Sequence, residues 1–269
     1  METLLLGIIQ GLTEFLPVSS SGHLILAQTF LGMDTEPDAG TFLAVMLHVA
    51  TGIAVLIVFR KDILNIIRGC FSKDITLRKD SLTYSGWVVL ATIPAMIIGL
   101  TFKSFFDGMF DTSSGNAPAY LTSLMLFFTA GLLIFSSKKE DSGNGKLTFA
   151  KVIIIGLMQA VAIMPGISRS GSTIAIALLI GVSREEAGRF SFMLSLPVIF
   201  GAALLDARKF KNWESVLTFD LVVGFIAAFV IGIVAIKLLL SFIKKGKLHY
   251  FGYYCATAAT VSLVWLTVR

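Results

Sequence analysis

Six stretches of this sequence are apolar for long enough to cross a lipid bilayer, and no other feature restricts the fold as much. They lie at about 42–59, 82–102, 119–135, 190–205, 221–243 and 250–268, the fourth short and holding Pro197 and Gly201. A spanning helix needs about 20 apolar residues to cross a hydrocarbon core roughly 30 Å thick. No water reaches that depth, so each segment must satisfy its own backbone polar groups, which favours helices. Charged residues make up only 14% of the chain, against about 25% in soluble domains. The expected class is an all-α polytopic membrane protein with six transmembrane helices. No basic run precedes the apolar N-terminus, so no cleaved signal peptide is expected.

Two further regions are apolar but interrupted. Residues 4–16 lead into Pro17-Val-Ser-Ser-Ser-Gly-His23 and then 24–31; residues 152–164 lead into Pro165-Gly-Ile-Ser-Arg-Ser-Gly-Ser172 and then 173–180. Apolar runs this short suit re-entrant segments better than spans. Each region is therefore expected to be a re-entrant hairpin of two short helices around a polar break. The regions also match each other. Gly7, Gln10, Ser19, Ser21, Gly22, Gly32 and Gly52 recur 149 residues later as Gly156, Gln159, Ser168, Ser170, Gly171, Gly181 and Gly201. The expected organisation is one membrane domain, 1–269, built from repeats at about 1–135 and 150–269. One hairpin and three spans per half would invert the second repeat. Broken helices at corresponding positions in two halves point to a binding site at their interface.

Lys and Arg set the expected orientation. Fifteen fall in the loops at 60–80, 136–151, 183–189 and 244–247, and five on the other side. The positive-inside rule puts the first group in the cytoplasm. Both termini and the mouth of the first hairpin would then face outside the cell membrane. The net charge of +5 is explained by these loops, and no basic-aromatic groove for nucleic acid is visible. Cys70 and Cys255 suggest neither a disulfide framework nor a zinc site.

The candidate chemistry lies in the two breaks. Glu14 sits in an apolar helix, where a carboxylate is costly, unless that helix lies wet at the interface. Gln10 shares its face four residues earlier, and the two could hold a hard cation through oxygen. Ser19, Ser20 and Ser21 could cap the following helix, or one of them could act as a nucleophile beside His23 as base. Arg169 needs an anionic partner. That partner is either Glu14, as a structural pair, or a phosphate gripped by the guanidinium fork. Thr173 is expected to open the next helix, whose N-terminus favours anions. His48 reads as a hydrogen-bonded packing residue. The acidic stretch 34–38 and the segment 107–116 read as outer loops, and 183–189 as a short charged turn.

Gln10-Gly-Leu-Thr-Glu14-Phe-Leu-Pro-Val-Ser-Ser-Ser-Gly-His23 and Pro165-Gly-Ile-Ser-Arg169-Ser-Gly-Ser-Thr173 resemble the motifs of the undecaprenyl-diphosphate phosphatases of the bacitracin-resistance type. The resemblance implies a membrane enzyme that removes the terminal phosphate of a polyprenyl diphosphate at the outer face, recycling the carrier for cell-wall synthesis. It implies a divalent metal, Mg or Ca. It places catalytic roles on Glu14, Ser20, His23 and Arg169, and phosphate contacts on Ser19, Ser21, Ser168, Ser170 and Thr173. The metal would lie at Glu14 and Gln10; many members carry Glu at the latter position, which weakens a two-carboxylate site here. Expected partners are the lipid substrate and the bilayer, with a homodimer as a possible assembly. The rival reading is a secondary transporter or flippase for an anionic lipid phosphate, since inverted repeats with broken helices are typical of transporters.

Overall fold

A computed structural model describes residues 2–31, 37–110, 115–141, 145–207 and 218–268. Every regular element among them is a helix: α1 (Glu2–Phe15), α2 (Ser20–Leu31), α3 (Pro37–Val58), α4 (Arg60–Cys70), α5 (Ile75–Thr101), α6 (Lys103–Met109), α7 (Ala117–Ser137), α8 (Phe149–Val161), α9 (Arg169–Leu179), α10 (Arg184–Ala207), α11 (Phe219–Lys244) and α12 (His249–Val268). Helices α5, α7, α10, α11 and α12 are each long and apolar enough to cross a membrane. The α3–α4 pair supplies a sixth span if counted as one broken crossing. The protein is a multi-pass membrane protein.

Its surface is inverted relative to a soluble protein. Val89, Phe135, Val234 and Val261 stand exposed on four different spanning helices. Thr51, Thr122, Ser123, Thr129, Ser172 and Ser195 are buried. Lipid tails are as apolar as leucine, so burying apolar area does not drive helices together in a bilayer; close backbone approach and interhelical hydrogen bonds do. Both are present. A Cβ on Gly224 would lie 2.7 Å from the Thr3 carbonyl, and one on Gly11 2.8 Å from the Ala228 carbonyl. Helix α1 therefore lies tightly along α11. Helix α8 meets α5 in the same manner, with a Cβ on Gly156 falling 2.8 Å from the Ala91 carbonyl. The Ser123 and Ser262 hydroxyls bond at 2.8 Å across α7 and α12.

Both interrupted regions are paired short helices, as expected, but α2 and α9 start earlier than their apolar runs. Ser19 and Ser168 act as N-caps, accepting from Gly22 N at 3.3 Å and Gly171 N at 3.2 Å. The polar residues after each cap thus form the first turn of a helix. Thr173 does not open α9; it sits one turn in and donates to the Arg169 carbonyl at 2.8 Å.

Three expected loops differ. Residues 60–70 form α4, bent 73° from α3; Ile63, Leu64, Ile66 and Ile67 interleave with Arg60, Lys61 and Arg68 in an amphipathic pattern that a count of charges reads as loop. Arg184–Arg189 form the first turns of α10, where Arg189 Nε meets Asp62 of α4 at 3.0 Å. The start of 107–116 lies at the end of α6, while 111–114 and Gly32–Glu36 fall outside the described residues.

The seam of α1 on α11 yields a test. Gly224→Leu is expected to destabilise the protein by about 1–3 kcal/mol, the usual cost of overpacking. Thermal unfolding of the detergent-solubilised protein, followed by loss of the monodisperse peak, measures it.

Candidate active site

Non-helical backbone at membrane depth survives only where protein or water satisfies its polar groups. The two hairpin breaks satisfy each other. Ser19 sits in the left-handed region at φ 65°, unusual for a residue with a side chain. This turn aims its Oγ at the facing loop, where it accepts from Gly166 N at 3.1 Å while also capping α2. Gly166 has φ 93°, and a Cβ there would collide with the Thr122 carbonyl. Thr129 of α7 donates to the Gly166 carbonyl at 2.9 Å and accepts from Ser168 N at 3.1 Å. Ser170 Oγ donates to the Phe15 carbonyl at 2.9 Å.

This contact brings the charged residues together. Arg169, first residue of α9, places Nη2 2.6 Å from Glu14 Oε1 near the end of α1. The second carboxylate oxygen accepts from Gln10 Nε2 at 3.2 Å and lies 3.6 Å from His48 Nε2. The Glu14 and Arg169 side chains are only 9% and 16% exposed, so the pair is poorly screened. His48 is hydrogen-bonded as expected, Nδ1 to the Ala44 carbonyl at 2.7 Å, but its other nitrogen faces the carboxylate. Its proximity was not legible, because α3 follows the hairpin and nothing in the spacing shows which face turns inward.

His23 lies one turn into α2. Its Nδ1 is 2.9 Å from the Ser19 carbonyl and its Nε2 2.8 Å from the Tyr254 hydroxyl of α12. A carbonyl can only accept, so Nδ1 carries a proton, and in the neutral ring Nε2 accepts from Tyr254. The two rings lie nearly parallel, 9° apart. Tyr254 gave no sequence signal: it stands 231 residues away and resembles an interfacial aromatic.

The hydroxyls divide into two sets. Ser19, Ser168, Ser170 and Thr173 are buried and bonded within the protein, Thr173 also to Ser191 Oγ at 2.7 Å. Ser20 is half-buried and Ser21 exposed. They open α2, and their hydroxyls bond to no described residue.

A metal cage is not built here. No three His, Cys, Asp or Glu side chains cluster among the described residues, and both Glu14 oxygens already face donors. Mg²⁺ commonly takes one or two carboxylates and completes its shell with water and substrate phosphate. Glu14, with Gln10 once its amide turns its oxygen inward, fits a cation shared with a phosphate ligand in that way.

The bacitracin resistance protein BacA family matches residues 3–261. The chain belongs to this family. An undecaprenyl-diphosphatase of Methanococcus vannielii is 41% identical over 268 residues, covering 99% of this chain and 100% of the relative. One of Christiangramia forsetii is 39% identical over 265 residues, covering 98% and 97%. A third, of Korarchaeum cryptofilum, is 39% identical over 260 residues, covering 94% of each. In this BacA family chain the Glu14–Arg169 pair joins the two segments on which the sequence resemblance rested.

Two outcomes test the geometry. Arg169→Met leaves Glu14 charged and is expected to destabilise the protein by about 3–5 kcal/mol, whereas Arg169→Met with Glu14→Gln regains most of that loss. Ser19→Gly suits the left-handed turn but orphans a buried amide, and is expected to cost about 1–3 kcal/mol. Thermal unfolding of the three variants beside the parent protein checks both.

Proposed function

We propose that the protein is an undecaprenyl-diphosphate phosphatase, hydrolysing the polyprenyl diphosphate to its monophosphate and inorganic phosphate in the cell membrane. The observation that carries this is the Glu14–Arg169 pair at 2.6 Å, which sets a poorly solvated guanidinium and carboxylate where the two hairpin breaks meet. The relatives that span the whole chain are named undecaprenyl-diphosphatases, which favours a hydrolase over a transporter built on similar broken helices.

The roles follow from the contacts. The terminal phosphate of the substrate takes the place of Glu14 at Arg169 and is bound by the guanidinium fork. Amides in the first turns of α2 and α9 face it, since helix N-termini favour anions. Phosphoryl transfer demands positioning and charge stabilisation more than covalent help, and Arg169 in a poorly solvated site supplies both. Ser20 attacks the terminal phosphorus: an Oγ–P bond forms, the bridging P–O bond breaks, and the polyprenyl monophosphate leaves. Water then cleaves the phosphoserine and releases phosphate. His23 Nε2 takes the Ser20 proton once the Tyr254 hydroxyl swings aside, and Glu14, released from Arg169, handles protons at the second step. Ser21 contacts the phosphate. Ser19, Ser168, Ser170 and Thr173 support it by holding the two loops in register. Glu14 and Gln10 would hold Mg²⁺ or Ca²⁺, which would supply charge neutralisation at the diphosphate.

The two halves form inverted repeats, which the mutual packing of α1 on α11 and α8 on α5 supports. The site opens to the outer face with both termini outside, on the strength of the fifteen basic residues in the opposite loops. A homodimer is compatible with this arrangement.

The test is phosphate release from a prenyl diphosphate by the purified protein in detergent with Mg²⁺ or Ca²⁺. Arg169→Ala and Glu14→Ala are expected to lower the rate by at least about a hundredfold, and His23→Ala by about 10²–10⁴. Ser20→Ala abolishes the phosphoserine detected after acid quench. Absence of release by the parent protein, with prenyl phosphate transported in liposomes, overturns the hydrolase.

A further inference from the structure

Helices α1 and α11 run parallel, since Gly7 meets Gly224 and Gly11 meets Ala228 and Gly232. Helix α1 ends at Phe15, beside Gly232, while α11 continues to Lys244. The remaining twelve residues of α11 extend about 18 Å past the end of α1 at about 1.5 Å per residue. A re-entrant hairpin leaves such a space because it fills only part of the membrane depth. Here the space is a groove of about 740 Å³ between the tip and the α11–α12 turn.

Its lining is of two kinds. Leu16 and Val18 of the tip and Phe251 of α12 give it apolar walls, and Lys245 and Lys247 stand in the turn beyond the end of α11. Both lysines are exposed, and neither has a carboxylate within ion-pair distance among the described residues. Tyr254 lines the same groove and holds His23 Nε2 at 2.8 Å. One side chain thus borders both the groove and the candidate active site.

We propose that this groove is a second lipid site, binding a polyprenyl monophosphate with its phosphate at Lys245 and Lys247 and its first isoprene units against Leu16, Val18 and Phe251. Two observations select this occupant. The walls require a hydrocarbon chain, which free phosphate lacks. Two cations match a phosphate monoester, which carries about −1.5 to −2 near pH 7, better than the single charge of a phospholipid diester. The proposal rests on the hydrolase reading in one respect: that reaction generates this monoester on the far side of Tyr254.

The test uses the full chain in phosphatidylcholine nanodiscs and a prenyl monophosphate carrying a diazirine near its head. After photolysis, the expected adducts lie on peptides covering 12–18 and 251–254. Lys245→Glu with Lys247→Glu is expected to lower their yield by about tenfold or more, as loss of two charge-assisted contacts implies. Leu16→Trp fills the groove with the lysines intact and is expected to lower it as well. Excess unlabelled prenyl monophosphate competes, and phosphatidylglycerol does not. Adducts absent from these peptides, adducts that persist in both variants, or equal competition by phosphatidylglycerol would each overturn the site. Phosphate release from prenyl diphosphate, measured on the same preparation, reports separately on the hydrolase.

Discussion

A carboxylate and a guanidinium placed in an apolar interior must find each other or find another counter-ion. Removing one partner of such a pair leaves an uncompensated charge, and the cost is several times that of a surface ion pair. Glu14 and Arg169 meet this demand across 155 residues of chain. The pair therefore serves assembly: neither hairpin reaches its folded position with its charge satisfied until the other is present. Ser19 strengthens the linkage, because its hydroxyl caps its own helix and satisfies an amide of the opposite loop.

The rest of the bundle gives these tips a fixed frame. Glycine seams let α1 and α8 lie close on α11 and α5, and α7 reaches under the second loop with Thr129. Hydroxyls that would be surface groups in a soluble protein are here the interior adhesive. Interhelical hydrogen bonds in membranes average less than 1 kcal/mol or so, so none of them alone holds the fold. Their number, together with backbone contact, gives the loops rigid support.

Much of this was legible in the sequence because the bilayer imposes a length rule that sequence must obey. The six apolar runs and the two interrupted regions appear where the runs of Leu, Ile, Val and Phe place them. Glu14 and Arg169 stood out because ionised groups at that depth need an explanation. The early starts of α2 and α9 were obscured by serine, which suits a loop and a first helical turn equally; only the cap geometry decides. Helix α4 was read as a loop because its charges dominate a hydropathy reading while its apolar residues are spaced for one face. His48 and Tyr254 were obscure for another reason. Their roles depend on which face of a long apolar helix turns inward, and a uniformly apolar helix carries little information on its own rotation.

The occupied carboxylate has a consequence for pharmacology. Any compound meant to block this pocket arrives at an arginine already engaged by an internal anion. A neutral diphosphate mimic must separate those charges without replacing either, and would bind weakly however well its shape matched. An anionic head such as a phosphonate supplies Arg169 with a counter-ion in place of the one it gives up, so selection for inhibitors should favour acidity before bulk.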